Sequence, residues 1–195
     1  MKYKIVTGIP SFNEAENISF VAGEIEKGLT RFFDPSKCLI VNMDSDSEDG
    51  TKESFLKTPT QTVKKYINTG KRPRGKGENL LKLFEFSQDM GADYIATIDA
   101  DIKSVTSNWV FTLLEPLVER DFDYCIPLYT RNRFEGNITN NFAYPLVYSV
   151  YGINIRQPIG GDFGLSRRLC DFLLDQPKHQ TTLKYGMDRY PLKCT

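Results

Sequence analysis

Histidine is nearly absent from this 195-residue chain, with His179 the only one. The four cysteines, Cys38, Cys125, Cys170 and Cys194, form no CxxC pair and have no histidine at zinc-ligand spacing. A zinc-finger-like metal site is therefore excluded, and the cysteines read as reduced thiols of a cytoplasmic protein. No apolar run reaches the roughly 18 residues that a membrane-spanning helix needs. Met1 leads into a charged, strand-like stretch instead of an apolar signal region. Excess charge of one sign is lacking too. Lys plus Arg and Asp plus Glu number 25 each, which speaks against a general nucleic-acid binder. There is no internal repeat, low-complexity tract or interdomain linker. With 40% hydrophobic residues over this length, the chain is expected to be one domain with a sizeable core.

What is present alternates between two periods. "YKIVTGIP" reads as a buried strand ended by Pro10. "SFNEAENISFVAGEIEKGL" reads as a helix, with Ile18, Val21, Ile25 and Leu29 on one face and acidic residues in its first turn. "KCLIVNMD" and "QTVKKYIN" read as further strands, and "GENLLKLFEFSQDMG" as a helix capped by Gly91. "ADYIATIDAD" is a fourth strand ending in carboxylates. "VTSNWVFTLLEPLVERD" is a helix in which Pro116 could kink the axis, and "FDYCIPLY" is a fifth strand. Beyond about residue 130, "TRNRFEGNITNNFAYPLVYSVYG" reads as a long loop and a helix covering a site. "IRQPIGGDFGLSRRLCDFLL" reads as a glycine-rich turn leading into a helix. Such alternation predicts an α/β fold, a mostly parallel central sheet flanked by helices.

Ligands of open α/β sheets bind beyond the carboxyl ends of the strands. Three strand ends here are polar: Ser11, Asn13 and Glu14; Asp44, Ser45 and Asp46; Asp99 and Asp101. Two carboxylates spaced by one residue after a buried strand suit a hard divalent ion whose open positions take diphosphate oxygens. Asp44 suits a ribose hydroxyl or a base N–H, while Asp46, Ser47 and Asp49 suit capping of the next helix. Gly70, Gly75 and Lys76 stand at the GxxxxGK spacing of a phosphate loop. The next residue is Gly77, which cannot bind magnesium, and a P-loop would leave the other two clusters unexplained. Lys71, Arg72, Arg74 and Lys76 read better as a basic loop near an anionic ligand, at the start of a helix whose N-terminus also favours anions. A solvated basic loop is the bland alternative.

In order, "GIPSFNEAENI", "MDSDSEDGT", "RGKGENLL", "IDADI" and "PIGGDFGLS" resemble the motifs of GT-A glycosyltransferases of the family-2 type. "LYTRNRFEGNITN" and "RQPIGGDFGLS" are most similar to the mannosylglycerate and glucosyl-3-phosphoglycerate synthase branch. The resemblance spans about residues 4 to 188. It implies a GT-A, Rossmann-like domain and transfer of a hexose from a GDP- or UDP-sugar to a small acceptor, with glycerate or phosphoglycerate as candidates. It implies that Pro10, Ser11, Asn13 and Glu14 line the nucleoside pocket and that Asp44 contacts base or ribose. Lys76 would approach the diphosphate. Asp99, Ala100 and Asp101 would form the DxD turn against the donor, with Asp99 and Asp101 holding Mn2+ or Mg2+. Gly161 and Asp162 would sit near the transferred sugar and the acceptor. Arg131 and Thr139 would bind the acceptor carboxylate, for which an Arg offers bidentate geometry. If transfer inverts the sugar, Asp162 is the candidate base for the acceptor hydroxyl. If it retains the configuration, as in the glycerate branch, no protein nucleophile is evident.

The pattern departs from the family after "YGMD" at 185 to 188, which resembles a GxD motif. The branch has a further metal-binding histidine downstream, whereas this sequence ends at Thr195 and His179 lies before the motif. The expectation is a single GT-A domain over 1–195, short at its C-terminus, with a metal site that is incomplete or completed by water or a partner chain. Two other functions stand beside the first. A nucleotidyltransferase would carry a glycine-rich basic signature next to the first strand, where this chain has "PSFNEAEN". A non-catalytic nucleotide-sugar-binding protein would bind donor without turnover. The sequence leaves a homo-oligomer open.

Overall fold

A computed structural model describes residues 4–70, 76–129 and 135–177. Six strands form one sheet in the order β3-β2-β1-β4-β6-β5. They are β1 (Ile5–Ser11), β2 (Cys38–Asp44), β3 (Val63–Asn68), β4 (Tyr94–Thr97), β5 (Tyr124–Cys125) and β6 (Phe163–Ser166). Strands β1 to β4 run parallel to their neighbours among themselves, whereas β6 is antiparallel to both β4 and β5. The helices are α1 (Ile18–Phe32), α2 (Thr51–Lys57), α3 (Lys76–Asp89), α4 (Ser107–Arg120), α5 (Tyr144–Tyr151) and α6 (Arg167–Asp175). A π-helical turn, Thr139–Ala143, leads into α5.

Strands β1 and β2 are buried along their whole length, as expected when helices cover both faces of a sheet. Their side chains alternate between two cores. Ile5, Ile9, Cys38 and Ile40 pack with Ile18, Ile25 and Leu114 on one face. Val6, Leu39, Val41 and Met43 pack with Leu83, Phe84 and Leu173 on the other. Helices α1 and α4 cross closely because Gly28 has no side chain. A Cβ there would lie 2.6 Å from the Ser107 carbonyl oxygen and 2.8 Å from Val110 Cβ. Glu24 of α1 then accepts the Ser107 N–H at the start of α4, at 3.0 Å.

Two expectations are corrected here. Helix α1 starts at Ile18 and has no acidic residue in its first turn. The N–H groups of Asn13, Glu14 and Ala15 are instead bound by Ser47, Thr51 and Asp49, at 2.8, 2.8 and 2.9 Å. That docking fixes residues 13–15 against the loop between β2 and α2 and delays the helix. The second correction is β6, a buried strand where a turn running directly into a helix was expected. Gly91 does take the left-handed conformation expected of a helix cap, with φ 68°. Helix α4 continues through Pro116. Cys38, Cys125 and Cys170 are free thiols, and Cys194 lies outside the described residues. No helix among the described residues is long and apolar enough to cross a membrane.

Candidate active site

The strand order places β1 between β2 and β4, so the chain turns to opposite sides of β1 at its carboxyl end. Crevices at such switch points take ligands in open α/β sheets. Ser11 closes β1 directly opposite Asp44 at the end of β2. Gly8 of β1 pairs with Thr97, the last residue of β4, just before Asp99. Because β6 runs the other way, its first residue, Phe163, pairs with Thr97. Gly161 and Asp162 therefore reach the same edge from the opposite direction. Strand β5 ends towards that edge as well, and Tyr129 follows it.

One half of the site is a buried acidic anchor. Asp44 is fully buried, and its carboxylate accepts four hydrogen bonds. They come from Ser11 Oγ at 2.8 Å, Ser47 Oγ at 2.6 Å, Ser47 N at 2.9 Å and the Tyr66 hydroxyl at 2.9 Å. Burial, then the hydrogen bond to the Asp44 carboxylate, pushes the Tyr66 hydroxyl well above the usual phenol range. Ser11 Oγ also receives Asn42 Nδ2 at 2.7 Å. Pro10 is buried within β1, Asn13 is exposed with φ 56°, and half-buried Glu14 accepts Asn17 Nδ2 at 2.9 Å. Asp49 accepts Thr51 N at 3.1 Å from the position before Gly50, which is the N-cap of α2 and makes no side-chain cap bond. Asp46 instead receives Asn68 Nδ2 at 2.7 Å.

The other half gathers around Asp99. Lys76 opens α3 and pairs its ammonium with the Asp99 carboxylate, both groups being partly exposed. Gly161 lies flat against this pair, since a Cβ there would overlap the Asp99 carboxylate and the Lys76 ammonium. Thr97 Oγ1 holds the Gly161 carbonyl at 2.8 Å. Asp162 is fully buried. It accepts the Asp99 N–H on one oxygen at 2.9 Å and the Tyr129 hydroxyl on the other at 2.8 Å. Burial, then the neighbouring Asp99 charge, raises its carboxyl to about 6. Ala100 is buried and Asp101 exposed. A polar bridge connects the halves: Asn79 donates to Ser45 Oγ at 2.6 Å and accepts Thr69 Oγ1 at 2.6 Å.

The sequence-predicted residues Ser11, Asp44, Lys76, Asp99, Asp101, Gly161 and Asp162 thus share one edge. Thr139 is a buried residue of the π-helical turn. Arg131, Lys71, Arg72, Arg74, His179 and the stretch 185–188 lie outside the described residues. Tyr129, Thr97 and Asn79 were not anticipated. Tyr129 could have been suspected as the last residue of "FDYCIPLY", a strand end like the other three. Thr97 looks like any β-branched strand residue, and nothing in the sequence marks it.

Asp99 and Asp101 present hard oxygen donors on one turn, and Asp99 already accepts an ammonium. Gly161, having no side chain, lets the Asp99 carboxylate and the Lys76 ammonium lie against its backbone. These features fit a divalent ion that takes its remaining ligands from diphosphate and water. Among the described residues no group of three or more His, Cys, Asp or Glu could hold a metal by protein ligands alone.

No curated protein matches the chain. Solved structures do. Glucosyl-3-phosphoglycerate synthase from Mycobacterium tuberculosis, in complex with Mn2+, UDP and phosphoglyceric acid, is 22% identical with a TM-score of 0.75. The match covers 97% of this chain and 63% of that one. The same enzyme with Mn2+, UDP-glucose and phosphoglyceric acid is 23% identical, with a TM-score of 0.73, covering 97% and 64%. Mannosyl-3-phosphoglycerate synthase from Rubrobacter xylanophilus is 22% identical with a TM-score of 0.70, covering 86% and 54%. The chain spans less than two thirds of the length of each of these neighbours, and the shared architecture is the GT-A fold. Residues 7–174 match the family model described as glycosyl transferase family 2, and the chain belongs to that family.

Proposed function

We propose that this chain transfers a hexose from a nucleoside diphosphate sugar, GDP- or UDP-linked, to a small acidic acceptor such as glycerate or phosphoglycerate. One observation carries the reading: Lys76, Asp99 and the bare Gly161 converge beside the β1–β4 switch point. That is a cationic and metal-ready floor at the place where a diphosphate would lie. The solved neighbours bound to UDP, UDP-glucose, Mn2+ and phosphoglyceric acid support the substrate class.

Asp99 and Asp101 would hold Mn2+ or Mg2+. When bound, the ion would neutralise charge on the leaving diphosphate. Lys76 is placed to exchange its pairing with Asp99 for a phosphate oxygen, adding positive charge where the leaving group develops negative charge. Asp44 spends all its acceptor capacity inside the protein. Its contribution to nucleoside binding is to hold Ser11, Ser47 and the backbone of the 11–15 loop in place. Asp162, with both oxygens engaged, acts as the brace of the Asp99 turn. In this resting geometry it does not reach out as a base. Arg131 and Thr139 remain the proposed acceptor contacts. The enzyme is read as a soluble cytoplasmic one with no nucleic-acid partner.

Calorimetric titration with UDP, GDP and ATP, each with and without Mn2+, tests this reading. Metal-dependent binding of UDP or GDP with ATP ignored is expected, and tight binding of ATP with Mg2+ in their place would overturn it. The double change Asp99→Ala and Asp101→Ala should abolish the metal dependence. Unchanged binding would remove the DxD assignment. Turnover of the bound sugar nucleotide separates an enzyme from a binding protein.

A further inference from the structure

Tyr129 follows β5 and reaches both ends of a segment that lies elsewhere in the chain. Its hydroxyl donates to one oxygen of the fully buried Asp162 at 2.8 Å, and the other oxygen of Asp162 accepts the Asp99 N–H at 2.9 Å. Its ring lies 5.4 Å from that of Trp109, tilted by 39°. Trp109 sits in the first turn of α4. Its indole N–H is buried and has no hydrogen-bond partner among the described residues, so packing rather than a polar bond seats the indole. The turn before β6 passes beside the Tyr129 ring, where a Cβ at Gly160 would lie 3.9 Å from Cε2, at ordinary contact. Between Asp99 and Trp109 runs the loop that carries Asp101. Its middle is held by Val105 in the core under α1 and α4, with Ile102 packed against that core.

We infer that Tyr129 is a positioning residue: through Asp162 and Trp109 it holds the two ends of segment 99–109, and so fixes where the Asp99 and Asp101 carboxylates stand for a divalent ion. The hydroxyl matters because of the group it meets. A buried carboxylate oxygen that loses its donor carries a desolvation cost until it finds another. Lys76 is the cation whose charge acts on Asp162 while it pairs with Asp99. An Asp162 released from Tyr129 turns towards that ammonium, competes with Asp99 for it and gives up the Asp99 N–H. The Asp99 turn then loosens although neither carboxylate of the metal turn has changed. Groups that orient metal ligands from behind typically set affinity by about 10–100-fold. The consequence for metal rests on the function proposed above, whereas the bracing of the Asp99 amide does not.

The experiment compares the wild-type chain with Tyr129→Phe, which removes the hydroxyl and keeps the ring. In the ligand-free protein the Asp99 amide should exchange hydrogen about tenfold faster in the variant, the scale of one hydrogen bond. The amides of α4 and the thermal midpoint should change little. Trp109 is the only tryptophan, so its emission reports the ring stack and should stay as in wild type. Calorimetric titration of Mn2+ in the presence of UDP or GDP should show an affinity loss of about 10–100-fold. With Asp162→Asn already in place, Tyr129→Phe should cost little more. Unchanged exchange at Asp99 overturns the inference. So does faster exchange throughout the chain, loss of the fold or a shifted Trp109 emission, since each makes Tyr129 a packing residue. A Tyr129→Phe effect of full size in the Asp162→Asn background also overturns it, because the hydroxyl would then act by another route. If the wild type binds neither nucleotide with Mn2+, the proposed function fails, and exchange at Asp99 alone decides the role of Tyr129.

Discussion

Gly161 is the residue at which fold and chemistry can be separated. Its missing side chain leaves room for the Asp99 carboxylate and the Lys76 ammonium. Both are ends of flexible side chains, so a Gly161→Ala change displaces them and leaves the backbone in place. The thermal midpoint should move little, while kcat/KM falls about 100-fold, the scale of a 1 Å misplacement in a catalytic group. Urea titration and steady-state kinetics on the same preparation check this, and a parallel loss of stability would mean that Gly161 is structural. The role of this glycine was legible only through the motif that contains it, because what forbids a side chain is contact with residues 62 and 85 positions earlier. The same holds for Asp162. Its place after two glycines was readable as a turn residue or a base. Its engagement by Asp99 N–H and Tyr129 hydroxyl depends on a strand that the sequence pattern did not reveal.

That strand, β6, shows which elements periodicity reaches. The first four strands are apolar or alternating runs of clear length, and the helices α1, α3 and α4 carry apolar residues at helical spacing. β6 is four residues, "FGLS", with a glycine inside, too short to distinguish from a turn. Its strand character comes from pairing with β4 and β5 and from contact with α4, where a Cβ at Gly164 would sit 2.6 Å from the Leu113 carbonyl oxygen. The join between β5, β6 and α6 is made by Asp123. It accepts Arg168 Nε at 3.0 Å, and Ser166 Oγ donates to it as well. The Arg168 hydrogen bonds hold the Asp123 carboxyl below the usual carboxylate range. A group with a depressed folded-state pKa stabilises above its unfolded value of about 3.9 and loses that contribution as pH falls through the folded value. Asp123→Asn should therefore lower the melting temperature modestly at neutral pH, since Arg168 is exposed. The gap to wild type should close in strong acid. Melts across that range test it, and a gap of constant size would mean that the charge contributes nothing.

At the scale of the molecule, one residue couples the core to the site. Phe163 is fully buried and directly follows Asp162. Its ring packs 6.3 Å from Phe84 of α3 and 5.9 Å from Tyr124 of β5. It therefore ties together the helix that opens with Lys76, the strand that leads to Tyr129 and the strand that begins beside Asp99. Truncating a buried Phe to Ala costs about 3–5 kcal/mol, a large share of the ~5–15 kcal/mol that holds a whole domain. Phe163→Ala should shift the urea midpoint strongly downward with little change in its slope, because the same surface is still exposed on unfolding. Phe163→Leu keeps more of the volume and should fall between the two. The site should fail with the core: nucleotide affinity should drop in both variants under conditions where they remain folded by circular dichroism. Gly161→Ala, by contrast, should lose affinity without losing stability. If Phe163→Ala unfolds more easily yet binds nucleotide as wild type does, the β6 strand does not position Asp162, and the bracing of Asp99 must come from the loop alone.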